Sequence, residues 1–424
     1  MSSESPPSRS VWRALLPIGL GTTLSLLGDT AIYTVLPTHT AEVGVSLVSV
    51  GILLSANRWI RLLLNGPAGI LYDRWRRRPI FVPALFIGAL STLLFAFGRG
   101  FWPLLASRLL WGVAWSGIWV GGNTIILDVT TASDRGRWTG LYQLSFYLGG
   151  TVGFPLGGLL TDWLGFQSAL LVAGGATTIG ALVALFVLPE TYRPHLVQPA
   201  GRAPDGSPAA APAARPGVRE ALASATALYG ANRFIVAGMI SATLGLLIKQ
   251  QWGDNVSLGG ISVGVATLTG FMLGLSTLTS MWAAPLSGHW SDRIGSRWWT
   301  AAAGLLAGVV GLGLLAVGLP AAILVGVVLT AIAGSSNQSM ATALIGDLAE
   351  RARRSRSLGV MHTFGDLTSA IAPPLAYALI PWLGLPGLYL ACGALLIGLV
   401  IWVARLAQAR GLTVASAASP LGDD

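Results

Sequence analysis

The chain has 424 residues, of which 53% are hydrophobic and only 10% charged, and its mean hydropathy is +0.68. Soluble domains carry about a quarter charged residues, so this composition excludes an ordinary water-soluble fold and points to the bilayer. The formal net charge of +9 and the pI of 10.4 would suit a nucleic-acid binder, but the placement of the basic residues excludes that partner as well.

Apolar runs about 20 residues long recur along the chain, the length a helix needs to cross ~30 Å of hydrocarbon. They predict helices near 14–37, 48–69, 79–98, 102–126, 138–161, 165–188, 233–251, 261–284, 298–318, 320–345, 357–380 and 384–405. No alternating strands of the kind that build an outer-membrane barrel are read. The first run contains Asp29 and lacks a small-residue cleavage site, so it reads as a membrane helix rather than a signal peptide. Of the 26 Lys and Arg residues, 21 fall in segments assigned to the cytoplasm, three inside helices (Arg58, Arg61, Arg108) and two outside (Arg99, Lys249). The clusters Arg74–Arg78, Arg135–Arg137, Arg193 to Arg233, Arg293–Arg297 and Arg351 to Arg356 occupy alternate loops. That is the positive-inside pattern, and it places both termini in the cytoplasm of an inner-membrane protein.

Within the helices, ionisable side chains are few, and each costs at least ~2.5–3.5 kcal/mol near mid-bilayer. Asp29 in helix 1, Arg58 in helix 2 and Arg108 in helix 4 lie about 10, 12 and 9 Å from the outer helix ends at 1.5 Å per residue. They can therefore share one layer. Asp29 is the candidate proton acceptor, with Arg108 or Arg58 as the charge that responds to its protonation. A static Asp–Arg pair that only fixes helix packing is the competing reading. Arg61, one turn below Arg58, either faces an anionic substrate or pairs with a helix C-terminus. In helix 11 His362 and Asp366 are four residues apart and share a face. They form a second candidate proton site, part of a substrate cavity, or a local hydrogen bond. His39, His195 and His289 fall in or beside loops and receive no role. The single cysteine, Cys392, lies in helix 12. No metal-ligand spacing, cofactor motif, nucleophile–base set or Walker-type phosphate loop is present in the sequence.

The stretch from Thr191 to about Tyr229 is polar, and Pro199 to Pro216 within it is rich in Pro, Ala and Gly. It cannot form a packed core, and it separates six helices from six. The sequence divides into a first bundle at 1–190, a linker at 191–230, a second bundle at 231–410 and a cytoplasmic tail at 411–424. The halves repeat. A shift of 219 residues carries Asp73 to Asp292, Asp128 to Asp347, Gly140 to Gly359 and Pro155 to Pro374. The expected fold is thus an all-α polytopic protein with about twelve helices in two pseudo-symmetric six-helix bundles. Parallel repeats of this kind place a transport site near the bilayer midplane.

Gly69-x-x-x-Asp73-Arg74-x-x-Arg77-Arg78, with its weaker copy Gly288-x-x-x-Asp292-Arg293-x-Gly295-x-Arg297, resembles the loop signature of the major facilitator superfamily. Arg76 stands where that family has glycine. Arg108-x-x-x-Gly112 resembles the embedded arginine motif of proton-driven members. Gly149, Gly153, Pro155, Gly157 and Gly158 are similar to the glycine-proline motif of antiporters, with Phe154 before the proline and a gap one residue short. Pro189-Glu190-Thr191 is like a motif common in exporters. The resemblance implies a cytoplasmic gate made by Gly69, Asp73, Arg74, Arg77 and Asp128, and by Gly288, Asp292, Arg293 and Asp347. Gly69 would allow close helix approach, Asp73 would accept from a helix N-terminus, and Arg74 and Arg77 would pair with Asp128. Arg293 and Arg297 would pair with Asp347 and Glu350. It also implies a substrate cavity lined by Tyr33, Trp111, Trp115, Trp119, Asn123, Gln143, Tyr147, Asn337 and Gln338, against which stands the reading that the tryptophans only pack or meet lipid.

Four functions compete. The first is proton-coupled export of drugs or amphipathic metabolites, carried by Asp29, Arg108 and the helix 5 motif. The second is a symporter or facilitator importing a sugar or organic acid, which Arg58 and Arg61 suit. The third is a non-transporting sensor or assembly partner, and the fourth an intramembrane enzyme, for which the sequence offers no residues. The expected partners are a small-molecule substrate, protons and the lipid bilayer, with no nucleic acid and no cofactor, and the chain is expected to act as a monomer.

Overall fold

The structure, a computed structural model, describes residues 8–131, 134–192, 218–258, 261–349 and 354–417. The first six long helices are α1 (Ser8–Val35), α2 (Leu47–Arg74), α3 (Arg78–Phe97), α4 (Phe101–Val129), α5 (Arg135–Leu164) and α6 (Phe166–Val187), with a single helical turn at Thr40–Val43 between the first two. Helix α7 comprises Val218–Phe234, a π-helical turn at Ile235–Ile240, and Ser241–Trp252. It is followed by the hairpin β1 (Asn255–Leu258) and β2 (Ile261–Gly264), then α8 (Val265–Ile294), α9 (Arg297–Val317) and α10 (Pro320–Leu348). The last helical stretch, Arg354–Ala417, breaks at Gly384, whose φ of 64° a side chain would resist. It therefore divides into α11 (354–383) and α12 (385–417). Its apolar part alone has 53 residues. Unbroken, that would run about 80 Å, over twice the ~30 Å hydrocarbon core, so the break makes two crossings. Among the described residues the helices suited to crossing a membrane thus number twelve.

Local chemistry sets the helix ends. Ser46 accepts from Ser49 N to cap α2, and Ser296 accepts from Trp299 N to cap α9. Pro79 and Pro320 occupy the first turns of α3 and α10, where a missing N–H costs nothing.

Two expectations are corrected here. Residues 261–264 are not the start of a helix but strand β2, paired antiparallel with β1 in the register Asn255↔Gly264. The period-two alternation in Asn255-Val-Ser-Leu and Ile261-Ser-Val-Gly, with Gly259-Gly260 between, was the signal for it, hidden by the apolar run of α8. Helix α7 begins at Val218 rather than 233, because Val218 to Gly230 is Ala-rich and helix-favouring. It takes up the end of the stretch read as linker. Residues 193–217, with His195, and the tail beyond 417 lie outside the described residues.

The chain forms two compact units, one of Met1–Arg215 with Asp254–Phe271, the other of Pro216–Gly253 with Met272–Asp424. In the first, α1 packs on α5 and α6, α4 on α2 and α3, and α3 on α6. In lipid such packing rests on close van der Waals fit rather than hydrophobic expulsion. At Gly157 an added Cβ would sit 2.7 Å from the Ala31 Cα, so the glycine brings α5 against α1. The hairpin segment joins this unit because Asp162, near the end of α5, accepts from Thr267 N at 2.7 Å. In the second unit α9 packs on α10, and α7 packs on α10 and α11.

Candidate functional site

In the first unit, Asp29 and Tyr33 lie one turn apart on α1, six and two residues before its end at Val35. Arg108 lies seven residues after the start of α4, and Arg58 lies on α2. These elements bring the four side chains together. The Nη1 of Arg108 donates to Asp29 Oδ1 at 2.6 Å, and its Nε donates to the Leu53 carbonyl at 3.2 Å. Arg108 is 1% exposed, while the Asp29 side chain is 17% exposed. The guanidinium carbons of Arg58 and Arg108 lie 5.3 and 5.5 Å from the centre of the Tyr33 ring, whose hydroxyl donates to the Leu54 carbonyl at 2.6 Å. Arg108 reaches this position because α2 and α4 approach closely. A Cβ at Gly112 would stand 2.6 Å from the Asn57 carbonyl oxygen. Two buried atoms in the layer, Arg108 Nη2 and Asn57 Oδ1, have no hydrogen-bond partner. The arrangement pairs one guanidinium with a carboxylate that keeps partial access to its surroundings and sets a second guanidinium against the shared Tyr33 ring. Protonating Asp29 would remove the charge that holds Arg108 Nη1.

At the other end of α2, Arg77 alone makes the expected pairing. Its Nε and Nη2 donate to Asp128 at 2.8 and 3.3 Å, and Thr191 Oγ1 donates to the same carboxylate at 3.2 Å. The Arg77 guanidinium also donates to the Tyr72 carbonyl and lies 4.6 Å from the Tyr192 ring centre. Arg74 does not join Asp128; it is exposed, and its carbonyl receives the Tyr192 hydroxyl. Nor does Asp73 cap a helix in this unit. Glu190 performs that task, accepting from Arg77 N at 2.9 Å and Arg78 N at 3.3 Å at the start of α3. The Pro-Glu-Thr turn brings that carboxylate to the helix N-terminus, whereas Asp73 is exposed at the end of α2. The close approach expected at Gly69 and Gly288 is not made either, since an added Cβ at each meets nothing within 4 Å. In the last turns of α2 and α8 Tyr72 and Ser291 are buried, and the other residues are exposed.

The repeat in the second unit is weaker in the same way. Arg297 pairs with Asp347, and at 3.7 Å with Asp292. Arg293 has no ion pair among the described residues, and Glu350 lies outside them.

The pair on α11 is also rearranged. His362 and Asp366 do not bond to each other. His362 Nδ1 lies 2.9 Å from the Tyr229 hydroxyl, and Asp366 Oδ1 lies 3.6 Å from Arg233 Nη2. Arg233, read as a cytoplasmic charge, belongs to α7. The earlier helix start gives it about four more turns of helix on its N-terminal side.

Of the residues expected to line a cavity, Trp111 and Trp115 are 2% and 5% exposed and belong to the core of the first unit. Their rings continue through Trp119, 5.7 Å from Trp115, to Phe146, 5.5 Å from Trp119. The structure therefore assigns the inner two tryptophans to packing, and only Trp119 is half-exposed. Tyr33 is likewise buried. Asn123, Gln143 and Tyr147 are half-buried. Asn337 is buried and lines a small cavity in the second unit with Asn232, Val236, Thr330 and Gly334, beside the π turn. That cavity has room for a water molecule, not an organic substrate.

A family model described as Major Facilitator Superfamily matches residues 18–270 and 222–420, which together cover nearly the whole chain. The chain belongs to the Major Facilitator Superfamily. Among similar proteins, a probable 4-methylmuconolactone transporter of Cupriavidus pinatubonensis is 32% identical over 36% of this chain and 36% of its own length. The class B tetracycline resistance protein of Escherichia coli is 31% identical over 40% of this chain and 43% of its own length. The matched stretches thus span less than half of these relatives. A bacterial homologue of the human lysosomal transporter Spinster, solved in an inward-facing and occupied conformation, superposes with a TM-score of 0.71 at 17% identity, covering 95% of this chain and 96% of that one. This likeness concerns the fold. As a superfamily member with these helices, the chain is a multi-pass membrane protein.

Proposed function

We propose that this superfamily member is a proton-coupled secondary transporter that works by alternating access, with Asp29 as the proton carrier and Arg108 as its responding charge. The observation that carries the reading is the buried Asp29–Arg108 pair, in which the carboxylate keeps partial exposure and one guanidinium nitrogen has no partner. A carboxylate loses its hold on the guanidinium when protonated, and a released buried charge must find a new arrangement. That converts one proton into a preference between two conformations. Arg77–Asp128 and Arg297–Asp347 serve as cytoplasmic gate pairs in this cycle. Export is the direction we favour, supported by the resemblance of the α5 glycine-proline residues to an antiporter motif and of Pro189-Glu190-Thr191 to an exporter motif. The half-exposed residues Trp119, Asn123, Gln143 and Tyr147 would meet the cargo. The protein acts as a monomer in the inner membrane with both termini in the cytoplasm.

The test uses inverted vesicles carrying an inward-acidic gradient and a pH-sensitive dye, with tetraphenylphosphonium, a neutral amphipath, a hexose and benzoate as probes. Wild-type vesicles should lose the gradient when a transported probe is added, and Asp29→Asn vesicles should not. Equal behaviour of the two would overturn the assignment of Asp29. Movement of the hexose alone would replace export by uptake.

A further inference from the structure

We propose that Arg233 is the anchor of a binding site for an organic carboxylate, built entirely within the second unit by α7 and α11. This rests on the transporter reading but not on the direction of transport or on Asp29.

The guanidinium of Arg233 is underused. Its one ion pair among the described residues runs from Nη2 to Asp366 at 3.6 Å, well beyond the ~2.7–2.9 Å of a charge-assisted hydrogen bond. Its Nε is buried and has no partner. An arginine fork is shaped to take two oxygens of one carboxylate side by side, and Asp366 does not do so. A buried N–H left open, beside a stretched pair, is what a site for an exchangeable anion requires.

The position is built rather than incidental. An added Cβ at Gly365 would stand 2.1 Å from the Tyr229 ring and 3.0 Å from Arg233 Cγ, so Gly365 makes the room in which both side chains lie. Tyr229 is fixed edge-on to His362, ring centres 5.0 Å apart, by the hydroxyl–Nδ1 hydrogen bond. Phe364 packs on Gly230 one turn away, where an added Cβ would meet its ring at 2.3 Å. The Tyr229 ring, packed against the same glycine as Arg233, suits a carboxylate with a flat apolar body. Arg233 is the one permanent cation in the cluster among the described residues, which favours a monocarboxylate over phosphate.

Charge balance links the site to protons. The titratable and charged groups facing it are Tyr229 and Arg233 from α7 and His362 and Asp366 from α11. The neighbouring helix α10 contributes the neutral Gln338, which accepts from Asn232 at 3.2 Å. With Asp366 ionised and His362 neutral the cluster is neutral, and an entering carboxylate leaves it one charge negative. Protonating Asp366 or His362 restores neutrality. Proton uptake and carboxylate binding should therefore favour each other, with the Asp366 carboxylate competing with the ligand for the fork.

The test is equilibrium binding to the full chain in detergent, read by calorimetry, with benzoate, its neutral isostere benzamide, and inorganic phosphate. Benzoate should bind and benzamide should not. Arg233→Gln should weaken benzoate roughly 10-fold or more, and Arg233→Lys should retain part of the affinity, since a point charge replaces a fork. Asp366→Asn, which removes the competing carboxylate, should strengthen benzoate at neutral pH by a few-fold. Should Arg233→Gln fail to fold, Arg233→Lys and Asp366→Asn carry the test. Equal binding of benzoate and benzamide, binding of phosphate alone, unchanged affinity in Arg233→Gln, or weaker binding in Asp366→Asn would overturn the proposal. Asp29→Asn should bind benzoate like the wild type while losing gradient-driven movement, so failure here and failure of the coupling assignment are read separately.

Discussion

Arg108 and Asp29 show how little a single charge can be moved inside a membrane protein. Arg108→Ala leaves the Asp29 carboxylate largely buried without its partner, and removing one member of a buried pair costs about 3–5 kcal/mol. Asp29→Asn keeps an acceptor for Arg108 and should cost less, about 1–3 kcal/mol for the weakened hydrogen bond. Thermal melts of the purified variants should rank wild type above Asp29→Asn above Arg108→Ala, and a reversed order would mean that the pair does not stabilise the fold as drawn. Both positions were legible in the sequence because ionisable residues in apolar helices are rare. Tyr33, which lies against both arginines, was legible only as a generic aromatic, because nothing in its spacing says that two cations from other helices reach its ring.

Helix α3 depends at its start on a carboxylate that comes from far along the chain. Glu190 accepts from the Arg77 and Arg78 amides, so Glu190→Ala should destabilise the protein by about 0.5–2 kcal/mol, with Glu190→Gln milder. Arg77→Ala should be costly and Arg74→Ala nearly silent in the same melts, and equal effects would contradict the assignment of the Asp128 pairing to Arg77. The loop before α5 is held differently. Asp134 accepts from the Thr131 hydroxyl and amide at 2.8 and 2.7 Å and from Trp138 Nε1 at 3.1 Å. The Thr131 hydroxyl, then its amide, hold the Asp134 carboxyl below the usual 3.8. A depressed folded-state value means that the contribution is present above the unfolded value and lost as pH falls through the folded one. Proteolysis at this loop should therefore be unaffected between pH 5 and pH 8, and Asp134→Ala should raise it at neutral pH. The two-strand hairpin shows the limit of reading by element. Its alternating pattern is only four residues long on each side, and a longer apolar run beside it dominates the local signal.

Across the whole molecule, the arrangement of basic loops predicts topology more firmly than any single contact. Cys392 is buried, so Cys392→Ser gives a background in which single cysteines report their side of the membrane. A cysteine replacing Thr131 should be shielded from an impermeant maleimide in intact cells, and one replacing Gly165 should be labelled. The opposite pattern would invert the orientation and with it the expected direction of proton flow.

The sequence by itself determined the solvent, the number of crossings, the repeat and the superfamily, because hydrophobic length, charge placement and short motifs are local properties of the chain. It also determined that Asp29 and Arg108 lie at matching depths, since depth follows from counting along a helix. Only the tertiary structure decided which arginine meets Asp128, that Glu190 rather than Asp73 caps a helix, that Trp111 and Trp115 are core, and that Arg233 stands beside Asp366. Each of these turns on which faces of separate helices meet, and a helix's rotation and its neighbours are set by packing between segments distant in sequence.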